Sequence, residues 1–270
     1  VKRIETLGLV GCGRMGAAIG GHLLEASWPL TVADPDASAR ERLTARGARE
    51  AGSAAEVAAA SDLVLVVVVD DHQVEQAVLA EDGVLAGSTP GTVVAVCASV
   101  RPDTCSGLAA AAAPREVDVI DVALVRGERG AEDGELALMC GGPEEVIDAC
   151  RPAFAAFATD VCVLGPVGAG QVAKTANNIL LWACLRADVE AQRLARALGV
   201  EPARLRAALA VGSGANRPLA EWGKHRLRWP AKDLEVARGL AVEAGVEMPL
   251  VDTLPALMDE LSVEDLRELA

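Results

Sequence analysis

Two groups of residues in this 270-residue chain have the types and spacing to do chemistry. The first is Gly11-Cys12-Gly13-Arg14-Met15-Gly16, which follows the apolar run Ile4–Val10 and opens a helical pattern. A G-x-G-x-x-G between strand and helix is built for a dinucleotide: Gly11 permits the tight turn, Gly13 lets a pyrophosphate approach the backbone, and Gly16 lets the helix pack on the strand. The helix N-terminus adds N–H groups and a partial positive charge. Asp34 ends the second apolar run, 21 residues after Gly13, where a carboxylate accepts hydrogen bonds from the adenosine ribose. With Asp36 close by and no Arg at 34–37, a 2′-phosphate would meet like charge, so NAD is expected over NADP. Arg14 and Arg40 could still be recruited, which keeps NADP open. The competing reading is a Gly-rich turn without a ligand.

The second group runs from Gly165 to Asn178. A Walker loop needs Gly-Lys-Ser/Thr in succession, and Ala173 precedes Lys174, so that reading fails. Lys174 and Asn178 instead share one face of a helix, with Trp182 a turn further on. A lysine there can polarise a substrate oxygen and donate a proton while the amide fixes orientation; a solvated lysine at a helix start is the alternative. The chain has no Tyr, which excludes reductases that use a tyrosine hydroxyl as proton donor. His22 and His72 fall within or at the start of helices and His225 in the basic cluster Lys224–Arg228, so packing and surface roles are expected of them.

The elements that must position these groups alternate. Apolar runs at Ile4–Val10, Leu30–Ala33, Leu63–Val69, Val93–Cys97, Val117–Val122, Leu136–Cys140 and Val161–Leu164 read as buried strands. Helical segments at Arg14–Ala26, Ala37–Ala45, Ala54–Ala60, Asp71–Leu79, Asp103–Ala113 and Pro143–Ala158 separate them. From Ala169 to Leu198 one long helix is expected, followed by helices without a strand pattern. The fold class is α/β: a Rossmann-type doubly wound sheet over residues 1–165, then a long helix and an all-helical C-terminal domain over 166–270. A net charge of −14 makes nucleic acid an unexpected partner. The longest apolar run is far short of the ~20 residues that cross a bilayer, and the N-terminal residues lack a secretory pattern, so a cytoplasmic protein without a membrane partner is expected. Seven Cys without a Cys-x-x-Cys suggest buried free thiols and no metal site.

Four segments, in order, resemble the β-hydroxyacid dehydrogenase family, which includes 3-hydroxyisobutyrate dehydrogenase and tartronate semialdehyde reductase: Gly8–Gly16, Gly130–Gly142, Gly168–Asn178 and Lys232-Asp233-Leu234. The resemblance implies that Lys174 is the catalytic acid/base, that Asn178 holds substrate, and that Lys232 lies near nicotinamide and substrate. It implies cofactor contacts from Gly11, Cys12, Gly13, Arg14, Met15, Gly16, Asp34, Val69, Ser99 and Lys232. The expected activity is NAD(P)-dependent hydride transfer between nicotinamide and a small 3-hydroxy acid or semialdehyde. An imine reductase on this scaffold and a non-catalytic NAD-binding regulator are the alternatives. The resemblance also implies a homodimer built through the C-terminal helices, in keeping with the apolar stripe Ile179, Leu180, Ala183, Ala187 and Leu194.

The departures concern substrate. The family's Asp-Ala-Pro-Val-Ser-Gly-Gly loop reads here Asp121-Val122-Ala123-Leu124-Val125-Arg126-Gly127. Val125 replaces the serine whose hydroxyl contacts the substrate carboxylate, a loss of ~1.5–3 kcal/mol unless compensated. Arg126 is expected to compensate by a two-bond contact to that carboxylate; the alternative has it facing solvent and pairing with Glu128. Ala98-Ser99 stands where the family has a Ser-Thr pair.

Overall fold

The computed structural model describes residues 2–270. Residues up to Lys174 form one compact unit and residues from Thr175 onward a second. The first begins with β1 (Leu7–Val10), α1 (Arg14–Glu25), β2 (Leu30–Ala33), α2 (Ala37–Thr44), β3 (Arg49–Glu50), α3 (Ala54–Ala59) and β4 (Leu63–Val66). It continues through α4 (Asp71–Leu79), α5 (Val84–Gly87), β5 (Val93–Val96), α6 (Pro102–Ala112), β6 (Asp118–Val125) and α7 (Gly127–Glu132). β7 (Leu136–Gly141), α8 (Glu144–Phe154) and β8 (Ala158–Gly165) complete the sheet, and α9 (Ala169–Ala197) follows.

The sheet has the order β3-β2-β1-β4-β5-β6-β7-β8. From β3 to β6 every pairing is parallel, and β7 runs antiparallel to β6. The central strands are apolar along their whole length because both faces are covered. Leu7, Leu9, Leu63 and Leu65 enter one core, and Val10, Val64, Val66 and Val94 the other. β1 lies between β2 and β4, so the chain winds outward in opposite directions from it, and the carboxyl ends of β1 and β4 flank the crevice where such sheets take ligands.

The sequence does not reveal β3, α5 or α7. β3 is two exposed charged residues, and α7 carries Gly127 and Gly130, poor helix formers. The helix expected to reach Ala158 ends at Phe154, where Phe157 N–H bonds the Phe154 carbonyl and both rings enter the core. β8 is largely exposed, so polar Thr159 and Asp160 hide its pattern.

The second unit holds the rest of α9 with α10 (Pro202–Leu209), α11 (Arg217–Ala220), α12 (Pro230–Ala244), α13 (Pro249–Asp259) and α14 (Val263–Glu268). Pro202, Pro230 and Pro249 start their helices, where the missing N–H costs nothing. Trp182, Leu185 and Val189 of α9 pack with Leu234, Leu254 and Met258 in a core of their own. Among the described residues no helix is long and apolar enough to cross a membrane.

Candidate active site

The Gly-rich turn is at the carboxyl end of β1. Gly11 adopts φ +96°, and a Cβ there would strike the Val67 carbonyl, so only glycine fits. A Cβ on Gly16 would strike the Gly11 carbonyl, which enforces the close approach of α1 to the turn. Gly13 has open space where its Cβ would stand, and it begins α1 without a side-chain cap or an acidic first turn. Open backbone at an uncapped helix N-terminus fits a pyrophosphate.

Asp34, just past β2, turns its carboxylate to this turn: Oδ2 accepts the Cys12 N–H at 2.6 Å and Oδ1 the Asp36 N–H at 2.8 Å. Cys12 is fully buried, and burial, with the Asp34 charge, pushes its thiol up to about 12. It therefore stays protonated and unreactive. Arg14 is exposed and its Nε lies 3.3 Å from Glu128 of α7; Met15 packs partly against the core.

The other expected cofactor residues of this unit also follow strand ends. Val69, past β4, is exposed, and its N–H donates to the Gln73 side chain at 3.1 Å. Ser99, past β5, is exposed between two buried neighbours. A residue the sequence does not single out holds it there. Gln171 of α9, 2% exposed, donates from Nε2 to the Ala98 carbonyl at 2.9 Å and accepts the Val100 N–H at 3.2 Å, bracketing Ser99. Its only signal in the sequence is a polar residue on the face of α9 one turn before Lys174.

Asp121 secures that same turn of α9. It is fully buried on β6 and accepts the N–H of Gly168 at 2.5 Å and of Gln171 at 2.9 Å. Burial pushes its carboxyl up, against the pull of these amides. The start of α9 is thus fastened to β6, and Lys174, half-buried, donates from Nζ to the Leu124 carbonyl at 2.9 Å. Its amine is held at the residue just before Val125, Arg126 and Gly127.

Arg126 departs from expectation. At φ +82° its guanidinium turns to Asp160 Oδ2 at 2.7 Å, Thr159 Oγ1 at 2.6 Å and the Glu135 carbonyl at 2.8 Å. These acceptors at the neighbouring ends of β7 and β8 take the place of the substrate carboxylate anticipated for it. Val125 is half-buried and Gly127 exposed.

In the second unit, Asn178 is 7% exposed, one helical turn beyond Lys174. Trp182 Nε1 donates to Asp233 Oδ2 at 2.9 Å, fastening the first turn of α12, which carries half-buried Lys232, to α9. Two histidines bond backbone carbonyls, His22 Nε2 those of Ala131 and Glu132 at 3.0 and 3.1 Å and His225 Nε2 that of Pro218 at 3.0 Å, while His72 lies exposed at the surface.

Comparison with known proteins agrees along the chain. Residues 6–165 match the NAD binding domain of 6-phosphogluconate dehydrogenase, and residues 168–269 the NAD-binding domain of NADP-dependent 3-hydroxyisobutyrate dehydrogenase. An NAD-dependent L-serine dehydrogenase of Pseudomonas aeruginosa is 35% identical, over 84% of this chain and 75% of that protein. A 3-hydroxyisobutyrate dehydrogenase of the same organism is 31% identical, over 79% and 72%. The solved 3-hydroxyisobutyrate dehydrogenase of Mycobacterium tuberculosis with L-serine superimposes with a TM-score of 0.85 at 24% identity, covering 98% of this chain and 99% of that one. Matched by these two family models over residues 6–165 and 168–269, and by relatives of 31% and 35% identity over most of its length, the chain belongs to the β-hydroxyacid dehydrogenase family of NAD-dependent oxidoreductases.

Proposed function

We propose that the protein interconverts a small 3-hydroxy acid and its carbonyl form, with Lys174 as acid/base. The observation that carries this is the hydrogen bond from Lys174 Nζ to the Leu124 carbonyl, which holds an amine beside the Val125–Gly127 turn at the edge where the dinucleotide turn also lies. The nicotinamide, when bound, supplies or accepts the hydride. In reduction the Lys174 ammonium donates a proton to the oxygen gaining charge; in oxidation the neutral amine takes the hydroxyl proton. Asn178 orients the substrate, and Lys232 contributes positive charge. Gly11–Gly16 and Asp34 bind the pyrophosphate and ribose, and Val69 and Ser99 line the nicotinamide end. With Arg126 engaged by Asp160, the substrate carboxylate is met by lysine charge, in a chain of net charge −14.

NAD is the cofactor this set favours, because Asp34 and Asp36 oppose a 2′-phosphate. The working unit is a homodimer: Leu180 and Leu194 of α9 are each 64% exposed and, with exposed Ala187 between them at heptad spacing, form one apolar face. The reading is tested with a panel of L-serine, 3-hydroxyisobutyrate, semialdehydes and a cyclic imine, followed by NADH absorbance. Turnover of hydroxy acids or semialdehydes supports it. Turnover of the imine alone, or NAD binding with no turnover on the whole panel, sinks it.

A further inference from the structure

Two arginines of α2 stand at the ribose end of the dinucleotide site: Arg42, whose Nη2 donates to the Cys12 carbonyl at 3.3 Å, and Arg40, whose guanidinium is held at two of its nitrogens. Arg40 lies one turn into α2, which Asp36 caps by accepting the Ser38 N–H at 2.9 Å. Nη1 donates to the backbone carbonyl of Asp34, the residue whose side chain faces the Gly-rich turn. Nε lies 2.7 Å from Glu50 Oε1. Glu50 stands on β3, opposite Val32 of β2, so the sheet sets its carboxylate beside the end of β2. The arginine side chain is only 21% exposed although its partner is 54% exposed, so the two anchors hold a largely covered guanidinium.

We propose that Glu50 is a positioning residue for dinucleotide selectivity: it draws Arg40 along the β2–β3 edge and withholds it from a 2′-phosphate, keeping the protein selective for NAD. This rests on the dinucleotide reading of the Gly11–Gly16 turn. The chemistry is competitive. A guanidinium beside the ribose end is the natural partner of a phosphate and can meet it through two parallel hydrogen bonds. Glu50 takes the Nε donor of the guanidinium and adds a third carboxylate to Asp34 and Asp36, so a phosphate that uses this edge of Arg40 must displace an ion pair in a negative field. Without Glu50, Arg40 keeps its tie to the Asp34 carbonyl and remains at the right place with a free edge.

The test is calorimetric titration of NADH and NADPH, without substrate, into the native protein, Glu50→Gln, Arg40→Ala and the double variant. The native protein binds NADH more tightly than NADPH. Glu50→Gln tightens NADPH about tenfold and leaves NADH within about twofold, which also reports an intact fold. In the Arg40→Ala background the same substitution changes NADPH binding by less than about twofold. Unchanged NADPH affinity in Glu50→Gln overturns the proposal, as does an equal gain in both backgrounds, which would assign the effect to bulk charge. Equal native affinity for NADH and NADPH overturns it as well. Failure of the native protein to bind either dinucleotide would overturn the dinucleotide reading itself, a distinguishable result.

Discussion

The amine of Lys174 is hydrogen-bonded to the carbonyl of Leu124 at 2.9 Å, across 50 residues of chain. That contact joins the first turns of α9 to the end of β6, and it depends on Asp121 and Gln171, which seat the same turns. The position of the lysine is therefore a property of a buried polar network, whose members stand or fall together.

Gln171→Leu is expected to strand the buried Ala98 carbonyl and Val100 N–H, at a cost of ~1–3 kcal/mol for each group left unpaired. Ser99 and Lys174 both lose their support, so kcat falls as well as stability. Urea unfolding and steady-state kinetics on the same preparation check both effects; unchanged values for each would show that Gln171 positions nothing.

Val125→Ser restores a hydroxyl next to the Lys174 contact. A new hydrogen bond to a charged carboxylate at ~1.5–3 kcal/mol corresponds to a KM lower by about tenfold or more, with kcat little altered. Initial-rate kinetics with a 3-hydroxy acid reads this directly, and an unchanged KM would place the carboxylate elsewhere.

Much of this site could be read from the chain because its residue types are forced locally. Gly11 is required by a positive φ and Gly16 by a backbone collision, and both requirements act within six residues of sequence. Asp34 is fixed by strand length. The partners of Arg126 could not be read: Thr159 and Asp160 lie 33 and 34 residues away on an edge strand, joined to it only by the pairing of β7 with β8. Gln171 was equally hidden, because a glutamine on a helix is ordinarily solvated and only the seating of α9 buries it. Pro202, Pro230 and Pro249 mark the starts of α10, α12 and α13 locally, but the tie from Trp182 to Asp233 spans 51 residues and needs the fold.

Acid stability should depend on Asp62. Burial raises its carboxyl, but the Lys2 ammonium at 2.6 Å, the Glu5 N–H at 2.9 Å, and the Thr6 hydroxyl and N–H at 2.9 and 3.0 Å outweigh that and hold it down at about 2. Its folded value lies below the unfolded one, so its contribution is full above the ordinary Asp range and is lost as pH falls toward about 2. Asp62→Asn should cost on the order of 2 kcal/mol at neutral pH, a difference that closes as pH falls through that window. Asp121 has the opposite sign: its raised value means that its own contribution is lost as pH rises. Denaturant titrations at pH 7 and near pH 2.5 decide the first point, and a constant gap would contradict it.

Light scattering at micromolar concentration should give a mass near twice the 27.8 kDa chain. Leu180→Glu with Leu194→Glu should shift it toward one chain, since a charge placed on an apolar contact is costly. A monomeric native protein would remove the dimer from the proposal.

The most direct measurement is the turnover of Lys174→Ala on the substrate that the panel identifies, alongside NADH binding by calorimetry. Loss of the proton donor predicts a fall in kcat of about 10²–10⁴-fold with NADH affinity nearly unchanged. Full turnover by Lys174→Ala would contradict the acid/base assignment.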